Sequence, residues 1–259
     1  MLKPGHDQSA HQVRMEWGPT GAAAVTADVA VIIDVLSFTT TVSIAVERGI
    51  AVLPYVWKDD RAREYAAARD AVLAVGRLEA RSLGSSEPRG VSLSPTEMAT
   101  ANLSGVERIV LPSPNGSTIA LALAETGATV FAASLRNARA VSEHLAGLVR
   151  DGASCVVIAA GERWPDGTLR PCVEDLWGAG AVIAGLVDRG IAGLGPEARV
   201  AEQSFRAVRP EVAAELAACA GGVELAAAGY GDDVEFAGRL EVSTVVPVLR
   251  GDAFVGHRD

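Results

Sequence analysis

Residues 29–41 of this chain read Val-Ala-Val-Ile-Ile-Asp-Val-Leu-Ser-Phe-Thr-Thr-Thr. The first five residues are all apolar, which is typical of a strand covered on both faces of a sheet. Asp34 follows where the strand ends, and a helical pattern begins at Thr39 and reaches Arg48. A strand that leads through a short polar loop into a helix is the repeating unit of an α/β protein.

The same order of elements recurs along the chain. Apolar runs predict further strands at 51–55, 108–111, 129–132 and 154–159, and alanine-rich patterns predict helices at 39–48, 59–74, 117–126, 138–150 and 174–188. We therefore predict a three-layer α/β/α fold with a largely parallel or mixed sheet. Residues 1–259 form one unit in this prediction, with a division into two similar lobes near residue 150 as the alternative. A weak repeat relates 32–62 to 110–140, although any two strand–helix–strand units share such a pattern.

Composition excludes several functional classes. The 23 Lys and Arg residues are outnumbered by 32 Asp and Glu residues, and the net charge of −9 offers no basic stripe for nucleic acid. Acidic residues interrupt the longest apolar run, 22–46, so we expect no signal peptide and no membrane span. Three widely spaced cysteines, Cys155, Cys172 and Cys219, are more typical of reduced thiols in the cytoplasm than of disulfides.

The sequence lacks the motifs of three common kinds of enzyme that act on phosphate groups. The chain has no G-x-x-x-x-G-K-[ST] sequence, which excludes the P-loop NTPases. No Cys has an Arg six positions later, the spacing of a thiolate phosphatase loop. None of the four His follows a predicted strand, so we do not expect a His nucleophile or a Ser-His-Asp triad. Metal-assisted chemistry with carboxylates and hydroxyl-rich helix starts remains.

The first candidate segment is Asp34 and the hydroxyl residues that follow it. A carboxylate at the end of a strand is a typical Mg²⁺ ligand, and helix N-termini attract phosphate. We predict that Asp34 is a catalytic metal ligand and that four residues bind phosphate, namely Ser37, Thr39, Thr40 and Thr41. The alternative is that Asp34 or a threonine only caps the helix.

The second candidate segment, residues 112–118, reads Pro-Ser-Pro-Asn-Gly-Ser-Thr. Its two prolines stiffen the entry to a helix, and Gly116 allows unusual backbone angles. We predict that Asn115, Gly116 and Ser117 bind phosphate, partly through backbone N–H groups. An ordinary turn with a serine cap is the alternative.

The third candidate segment contains three carboxylates around one crossover. Glu162 follows a predicted strand, and Glu174 and Asp175 begin the next helix. We predict that all three bind the metal and that Glu162 and Asp175 also act in acid–base catalysis. Acids in a first helical turn can also simply complement the helix dipole. Further candidates for substrate binding are Arg163 and the pair Arg136 and Asn137, with Arg89 as a weaker one.

Together these blocks resemble the 2-phosphosulfolactate phosphatase family from residue 29 to residue 254. The matching sequences are Ile-Asp-Val-Leu at 33–36 with the threonines at 39–41, Pro-Asn-Gly-Ser at 114–117, Ala-Ala-Ser-Leu-Arg-Asn at 132–137, Glu-Asp at 174–175 and Gly-Tyr at 229–230. The resemblance implies Mg²⁺-dependent hydrolysis of a phosphate ester in the route to coenzyme M. It also implies a homodimer and a small phosphorylated acid as substrate.

Two departures from the family concern the substrate. The segment 162–168, Glu-Arg-Trp-Pro-Asp-Gly-Thr, is acidic and bulky compared with the shorter loop that the resemblance implies. The family also commonly reads Asp-Val-Leu-Arg-Ala-Thr-Thr, whereas this chain has Ser37 and Phe38 in the Arg and Ala positions. The missing guanidinium would be a partner for a sulfonate or carboxylate, and Arg163, Arg170 or Arg136 could replace it. Another Mg²⁺-dependent phosphohydrolase, acting on a sugar or glycerate phosphate, and a non-catalytic phosphate binder are the alternatives. The sequence also leaves open whether water attacks directly or Asp34 forms an aspartyl-phosphate.

Overall fold

The computed structural model describes residues 3–56, 60–75 and 91–257. Arg89 lies outside these residues. The described strands are β1 Val13–Trp17, β2 Val29–Ile33, β3 Ala51–Tyr55, β4 Val72–Leu73, β5 Arg108–Pro112, β6 Thr129–Ala133, β7 Cys155–Ala159, β8 Glu162–Arg163, β9 Leu169–Arg170, β10 Pro247–Arg250 and β11 Ala253–Gly256. The described helices are α1 Gly18–Ala24, α2 Phe38–Glu47, α3 Asp60–Ala67, α4 Pro95–Thr100, α5 Gly116–Glu125, α6 Ala138–Arg150, α7 Val173–Asp188, α8 Pro196–Val208, α9 Val212–Ala218, α10 Ala220–Ala227 and α11 Gly231–Ala237.

Nine strands form one mixed, mostly parallel sheet in the order β1-β7-β2-β6-β10-β11-β3-β5-β4. The first four strands in this order are parallel to one another, and so are the last three. The antiparallel hairpin β10–β11 joins the two parallel groups. Strands β8 and β9 form a separate hairpin outside the main sheet.

Both faces of the sheet are covered, as the apolar run in β2 predicts. Val29, Val31 and Ile33 belong to one core cluster, with residues of α6, α7 and α8. Ala30 and Ile32 point the other way, into a second cluster with residues of α1, α2 and α5. Because successive side chains of a strand alternate between its faces, a wholly apolar strand requires helices on both sides. The α/β prediction is confirmed.

The predicted helix at 59–74 is partly wrong. Helix α3 ends at Ala67, and Val72–Leu73 forms the edge strand β4 beside β5. Asp70 has a positive φ of 50°, a left-handed conformation that cannot continue a helix and that Asp adopts more readily than most residues. The chain therefore leaves the helix before the two-residue strand begins.

Segments on both sides of residue 150 contribute to the same sheet. Strand β7 lies between β1 and β2 and is parallel to both. The division into two similar lobes stays a prediction. Within the described part of the chain, no helix has the length and apolar character needed to cross a membrane.

Candidate functional site

A cleft of about 200 Å³ opens where β2, β5 and β7 end. The loops after these strands contribute Asp34, Ser113 and Gly161 to its lining, and the N-terminal turns of α7 and α10 contribute Glu174 and Gly221. A flat sheet would separate these ends, because β5 runs opposite to β2 in the strand order. In this protein the two ends nevertheless meet, since Asp34 and Ser113 line the same cleft.

Asp34 both caps a helix and lines the cleft. Its Oδ1 accepts a hydrogen bond from the backbone N–H of Phe38 at 3.1 Å. The Thr39 hydroxyl donates to the Asp34 carbonyl at 2.8 Å and accepts from the Asp34 N–H at 2.9 Å. These bonds fold the loop tightly around the end of β2, so capping and lining the cleft are compatible roles for Asp34.

The threonine hydroxyls stabilise this loop from inside. Thr40 donates to the carbonyl of Val35 at 2.7 Å, and Thr41 donates to the carbonyl of Leu93 at 2.8 Å. Thr39, Thr40 and Thr41 are fully buried, and none of them lines the cleft. Ser37, in contrast, does line it. The structure thus places the hydroxyls of the three threonines on backbone groups.

The start of α5 packs directly against Asp34. A Cβ on Gly116 would lie 2.6 Å from Phe38 Cγ and 2.8 Å from Asp34 Oδ2, so only glycine allows this approach. Ser113 Oγ accepts from the Gly116 N–H at 3.0 Å, and the buried Ser117 hydroxyl donates to the carbonyl of Leu111 at 3.0 Å. Of the predicted residues in this segment, Asn115 lines the cleft.

Asp175 ties two of the cleft's loops together. Its Oδ1 accepts from the Val35 N–H and its Oδ2 accepts from the Gly161 N–H, each at 2.8 Å. Burial raises the pKa of the Asp175 carboxyl well above its ordinary range, and the negative charges of Asp34 and Glu174 raise it further. The carboxyl groups of Asp34, Glu174 and Asp175 therefore lie close enough to one another to interact electrostatically.

Glu174 is buried beside the first turn of α10. Gly221 packs so closely on its carboxylate that a Cβ would collide with Oε1. Burial and the neighbouring negative charge of Glu174 raise the pKa of the Cys219 thiol to about 11. Helix α10 also contributes Glu224 and Leu225 to the lining.

Glu162 lies at the cleft mouth, on the β8–β9 hairpin. Asn115 Nδ2 donates to Glu162 Oε1 at 2.8 Å, and this bond connects the α5 loop to the hairpin. In the backbone register of the hairpin, Glu162 lies opposite Arg170. Arg170 also lines the cleft. The exposed Arg163 points along the hairpin instead, where its Nη1 donates to the carbonyl of Gly167 at 3.1 Å.

Arg136 and Asn137 lie outside the lining of this cleft. The Arg136 guanidinium stacks on Phe236 at 4.4 Å and donates to its carbonyl at 3.2 Å. Asn137 Oδ1 accepts from the Ser134 N–H at 2.8 Å and its Nδ2 donates to the carbonyl of Val245 at 3.2 Å. Both side chains therefore stabilise the turn that follows β6.

One histidine does follow a strand, contrary to expectation. His257 comes directly after β11, which the apolar pattern does not predict as a separate strand. Its ring centroid lies 4.1 Å from that of His144. Neither ring lines the cleft, so the position of His257 adds no histidine to the candidate site.

The donor atoms of the cleft suit a hard cation. Within residues 3–56, 60–75 and 91–257, no group of three or more His, Cys, Asp or Glu side chains is arranged to hold a metal ion. Mg²⁺, however, takes one or two carboxylates and fills its other positions with water and phosphate oxygens. Asp34, Glu162, Glu174 and Asp175 offer oxygen ligands of that kind in one cleft. The electrostatic interaction of Asp175 with the carboxylates of Asp34 and Glu174 also suits a cation, so this donor set fits Mg²⁺.

Comparisons with known proteins identify the family to which this sequence is similar. The sequence model of a family described as 2-phosphosulpholactate phosphatase matches residues 20–252. A "Probable 2-phosphosulfolactate phosphatase" of Deinococcus radiodurans is 31% identical over 224 residues, which cover 86% of this chain and 88% of that protein. A protein with the same description from Thermus thermophilus is 30% identical over 227 residues, which cover 86% of this chain and 89% of that protein.

Proposed function

The chain belongs to the 2-phosphosulfolactate phosphatase family, and we propose that it is a Mg²⁺-dependent phosphatase acting on the phosphate ester of a small acid. The main support for this proposal is that carboxylates and a helix N-terminus lie in the same cleft. Asp34 and Glu174 line the same cleft as Asn115, the N-cap residue of α5. Helix N-termini favour phosphate, and carboxylates favour the cation that accompanies it.

Asp34 and Glu174 would hold the ion, with Asp175 and Glu162 as further oxygen ligands. Bound Mg²⁺ supplies positive charge that offsets the carboxylates and the phosphoryl oxygens. The N–H groups in the first turn of α5 favour the phosphate from the other side. Asp175 keeps the Asp34 loop and the start of the hairpin in register through its bonds to Val35 and Gly161.

Glu162 is the candidate for the base that takes a proton from the attacking water. Its carboxylate is exposed on the β8–β9 hairpin and lines the cleft, whereas Glu174 and Asp175 are buried. The bond from Asn115 fixes its Oε1 and leaves Oε2 for a water molecule. A base must lie within hydrogen-bond reach of the proton it removes, and a position at the cleft mouth allows that.

Ser37 favours a second candidate substrate class. It lines the cleft with a hydroxyl where the family commonly has a guanidinium. A phosphate ester that has a carboxylate but no sulfonate, such as a glycerate or lactate phosphate, carries one negative charge fewer. It therefore needs fewer cationic side chains near the site. The homodimer and a place in the coenzyme M route remain predictions from family resemblance, and the cytoplasmic location remains a prediction from the cysteine pattern.

The test is phosphate release from a panel of small phosphate monoesters, with Mg²⁺ and with a chelator in its place. We expect turnover of phosphorylated 2-hydroxy acids that falls about 100-fold or more when the metal is removed. Asp34→Asn should lower kcat by about 100-fold or more, because it removes a charged ligand from the ion. No phosphate release from any ester with Mg²⁺ present would leave a non-catalytic binder as the better interpretation.

Asp28→Asn is the matched control for Asp34→Asn. Asp28 precedes β2 at its opposite end and accepts hydrogen bonds from the N–H and the hydroxyl of Ser154. It is exposed and does not line the cleft. The same substitution there should leave kcat within about threefold of the original protein, since surface changes rarely exceed ±0.5 kcal/mol.

A further inference from the structure

Arg170 is the one cation among the described residues that line the cleft. The same lining contains five carboxylates: Asp34, Glu162, Glu174, Asp175 and Glu224. A metal ion offsets charge on the cleft floor, where Asp34 and Glu174 lie. Arg170 belongs to the hairpin at the mouth, so its charge is available to a different part of a bound ligand.

The Arg170 guanidinium has no polar partner among the described residues. It forms neither a hydrogen bond nor an ion pair with them, and its nearest ring contact is Trp164, whose centroid lies 5.7 Å away. A guanidinium carries five N–H donors in a planar fork that matches a carboxylate, sulfonate or phosphate. Arg163 in the same hairpin differs, because the carbonyl of Gly167 already accepts from it.

The hairpin holds Arg170 in a defined place. Gly161 has a φ of +64°, and a Cβ there would lie 2.9 Å from the Arg170 carbonyl oxygen, so the chain folds back on itself at this glycine. Leu169 packs against both Gly161 and Gly18 and fixes the second strand of the hairpin. Glu162 lies opposite Arg170 in the backbone register of the two strands, and its side chain accepts a hydrogen bond from Asn115. Arg170 is therefore anchored next to the groups proposed to receive the phosphate.

We propose that Arg170 binds the second acidic group of the substrate, a carboxylate or sulfonate, and so selects phosphate esters that carry such a group. The proposal rests on the proposed function, since it assigns the phosphate to the metal and α5 and the second anion to Arg170. Position 37 is Ser in this chain, where the family commonly has an Arg. Arg170 would supply the guanidinium that the second acidic group needs. Each charge of a small phosphorylated acid then has a distinct partner.

The test compares two esters that differ only in the second acid. The ester 2-phospholactate carries a carboxylate where isopropyl phosphate carries a methyl group. We expect the original protein to prefer 2-phospholactate, and Arg170→Gln to reduce the ratio of the two kcat/KM values about 30-fold, mainly because the variant binds the carboxylated ester more weakly. The kinetics with isopropyl phosphate should change little. Arg170→Lys should recover part of the preference, because it keeps the charge and loses the fork.

Two further variants provide controls. Arg199→Gln removes the same charge from the exposed face of α8, away from the cleft, and should keep the original ratio. Arg163→Gln should change the ratio less than Arg170→Gln does. A larger effect at Arg163 would transfer the role there and overturn the proposal, and so would equal losses on both esters with Arg170→Gln.

Binding measurements separate this proposal from the proposed function. Calorimetry with each ester in the presence of Mg²⁺ gives the same ratio from Kd values, without turnover. If the original protein releases phosphate from no ester of the panel but binds 2-phospholactate through Arg170, the phosphatase function fails and the assignment of Arg170 stands. If it hydrolyses both esters equally well, or binds both equally well, the assignment of Arg170 is wrong and the phosphatase function is unaffected.

Discussion

The carboxylate of Asp175 accepts a hydrogen bond from the backbone N–H of Val35 at 2.8 Å. Its other oxygen accepts from the N–H of Gly161 at the same distance. Val35 follows Asp34 and Gly161 precedes Glu162, so a single side chain sets the spacing between two candidate catalytic carboxylates. This arrangement requires two acceptor oxygens, and only a carboxylate provides them.

Asp175→Asn should therefore reduce activity strongly while the protein stays folded. Asparagine offers one acceptor oxygen, and its NH₂ group would face the second backbone N–H. We expect kcat to fall about 100-fold, since small misplacements of catalytic groups have effects of that size. Steady-state kinetics and a thermal unfolding curve measure the two effects separately.

The matched control is Asp188→Asn at the other end of the same helix. Asp188 Oδ1 forms an exposed ion pair with Arg206 at 2.7 Å and lies far from the cleft along α7. Such pairs contribute about 0–1 kcal/mol, so this variant should keep its activity and nearly all its stability. If Asp175→Asn were equally active, the two hydrogen bonds would not position the site.

Gly116→Ala should damage both stability and activity. The added methyl group would lie 2.6 Å from Phe38 Cγ and 2.8 Å from Asp34 Oδ2, well inside normal contact. Overpacking of this kind costs about 1–3 kcal/mol, and here relief requires the α5 loop to move away from Asp34. Urea unfolding and kcat measured on the same preparation would show both losses.

Gly147→Ala is the control for Gly116→Ala, and we expect it to raise stability rather than lower it. Gly147 lies inside α6, and nothing is within 4 Å of a Cβ placed there. Alanine in a helix interior is favoured over glycine by about 0.5–1 kcal/mol, so this variant should be slightly more stable and fully active. Equal behaviour of the two variants would contradict the close contact at Gly116.

Several strands could be predicted because their sequences are wholly apolar. β2 and β7 lie between two neighbours and under helices on both faces, and each contains five consecutive apolar residues. β1 lies at the edge and alternates Val13, Arg14, Met15, Glu16, a pattern typical of a half-buried strand that a search for continuous apolar runs does not detect. The two-residue strand β4 is too short for any periodicity.

The antiparallel hairpin within the sheet could not be predicted from local pattern. Strands β10 and β11 come from the C-terminal part of the chain, yet they separate β6 from β3. Their pairing partners are more than a hundred residues away, and nothing in 247–256 encodes which edges they join. This insertion reverses the direction of one parallel group relative to the other.

The candidate site, like the fold, could be predicted from the sequence only in part. Carboxylates at strand ends and helix starts could be predicted as a group, because the carboxyl ends of neighbouring parallel strands share an edge. The direction of a hydroxyl could not: Thr39 and Ser117 both begin helices, and both bond to backbone groups at the preceding strand. Helix α10 has no motif in its alanine-rich sequence, although Gly221 and Glu224 line the cleft.

Asn115 and Glu162 should act as a coupled pair. Asn115 Nδ2 donates to Glu162 Oε1 at 2.8 Å across the cleft mouth. We expect Asn115→Ala to lower kcat/KM about tenfold in the original protein and much less once Glu162 is already alanine, because residues that share a bond are not additive. Asn102→Ala is the control, since Asn102 bonds only locally to the Ser104 N–H. Additive losses would contradict a shared role.

Cys155 should make the protein less stable at alkaline pH. The thiol is fully buried in β7, and burial raises its pKa from 9.0 to about 12. Between these values the unfolded chain loses the thiol proton while the folded chain keeps it. The folded state then binds more protons, so the free energy of unfolding falls as pH rises, by about 1.4 kcal/mol per pH unit.

Cys155→Ala isolates this effect, because Cys172 and Cys219 remain in both proteins and their contributions cancel. At about pH 8 the variant should be less stable, since the smaller side chain leaves a cavity. At about pH 10.5 the difference should have shifted by about 2 kcal/mol in favour of the variant, because only the original chain still has this buried thiol. Urea unfolding of both proteins across this range measures the shift. Parallel stability curves would mean that the Cys155 thiol ionises as easily in the folded chain as in the unfolded one, against its burial in the core.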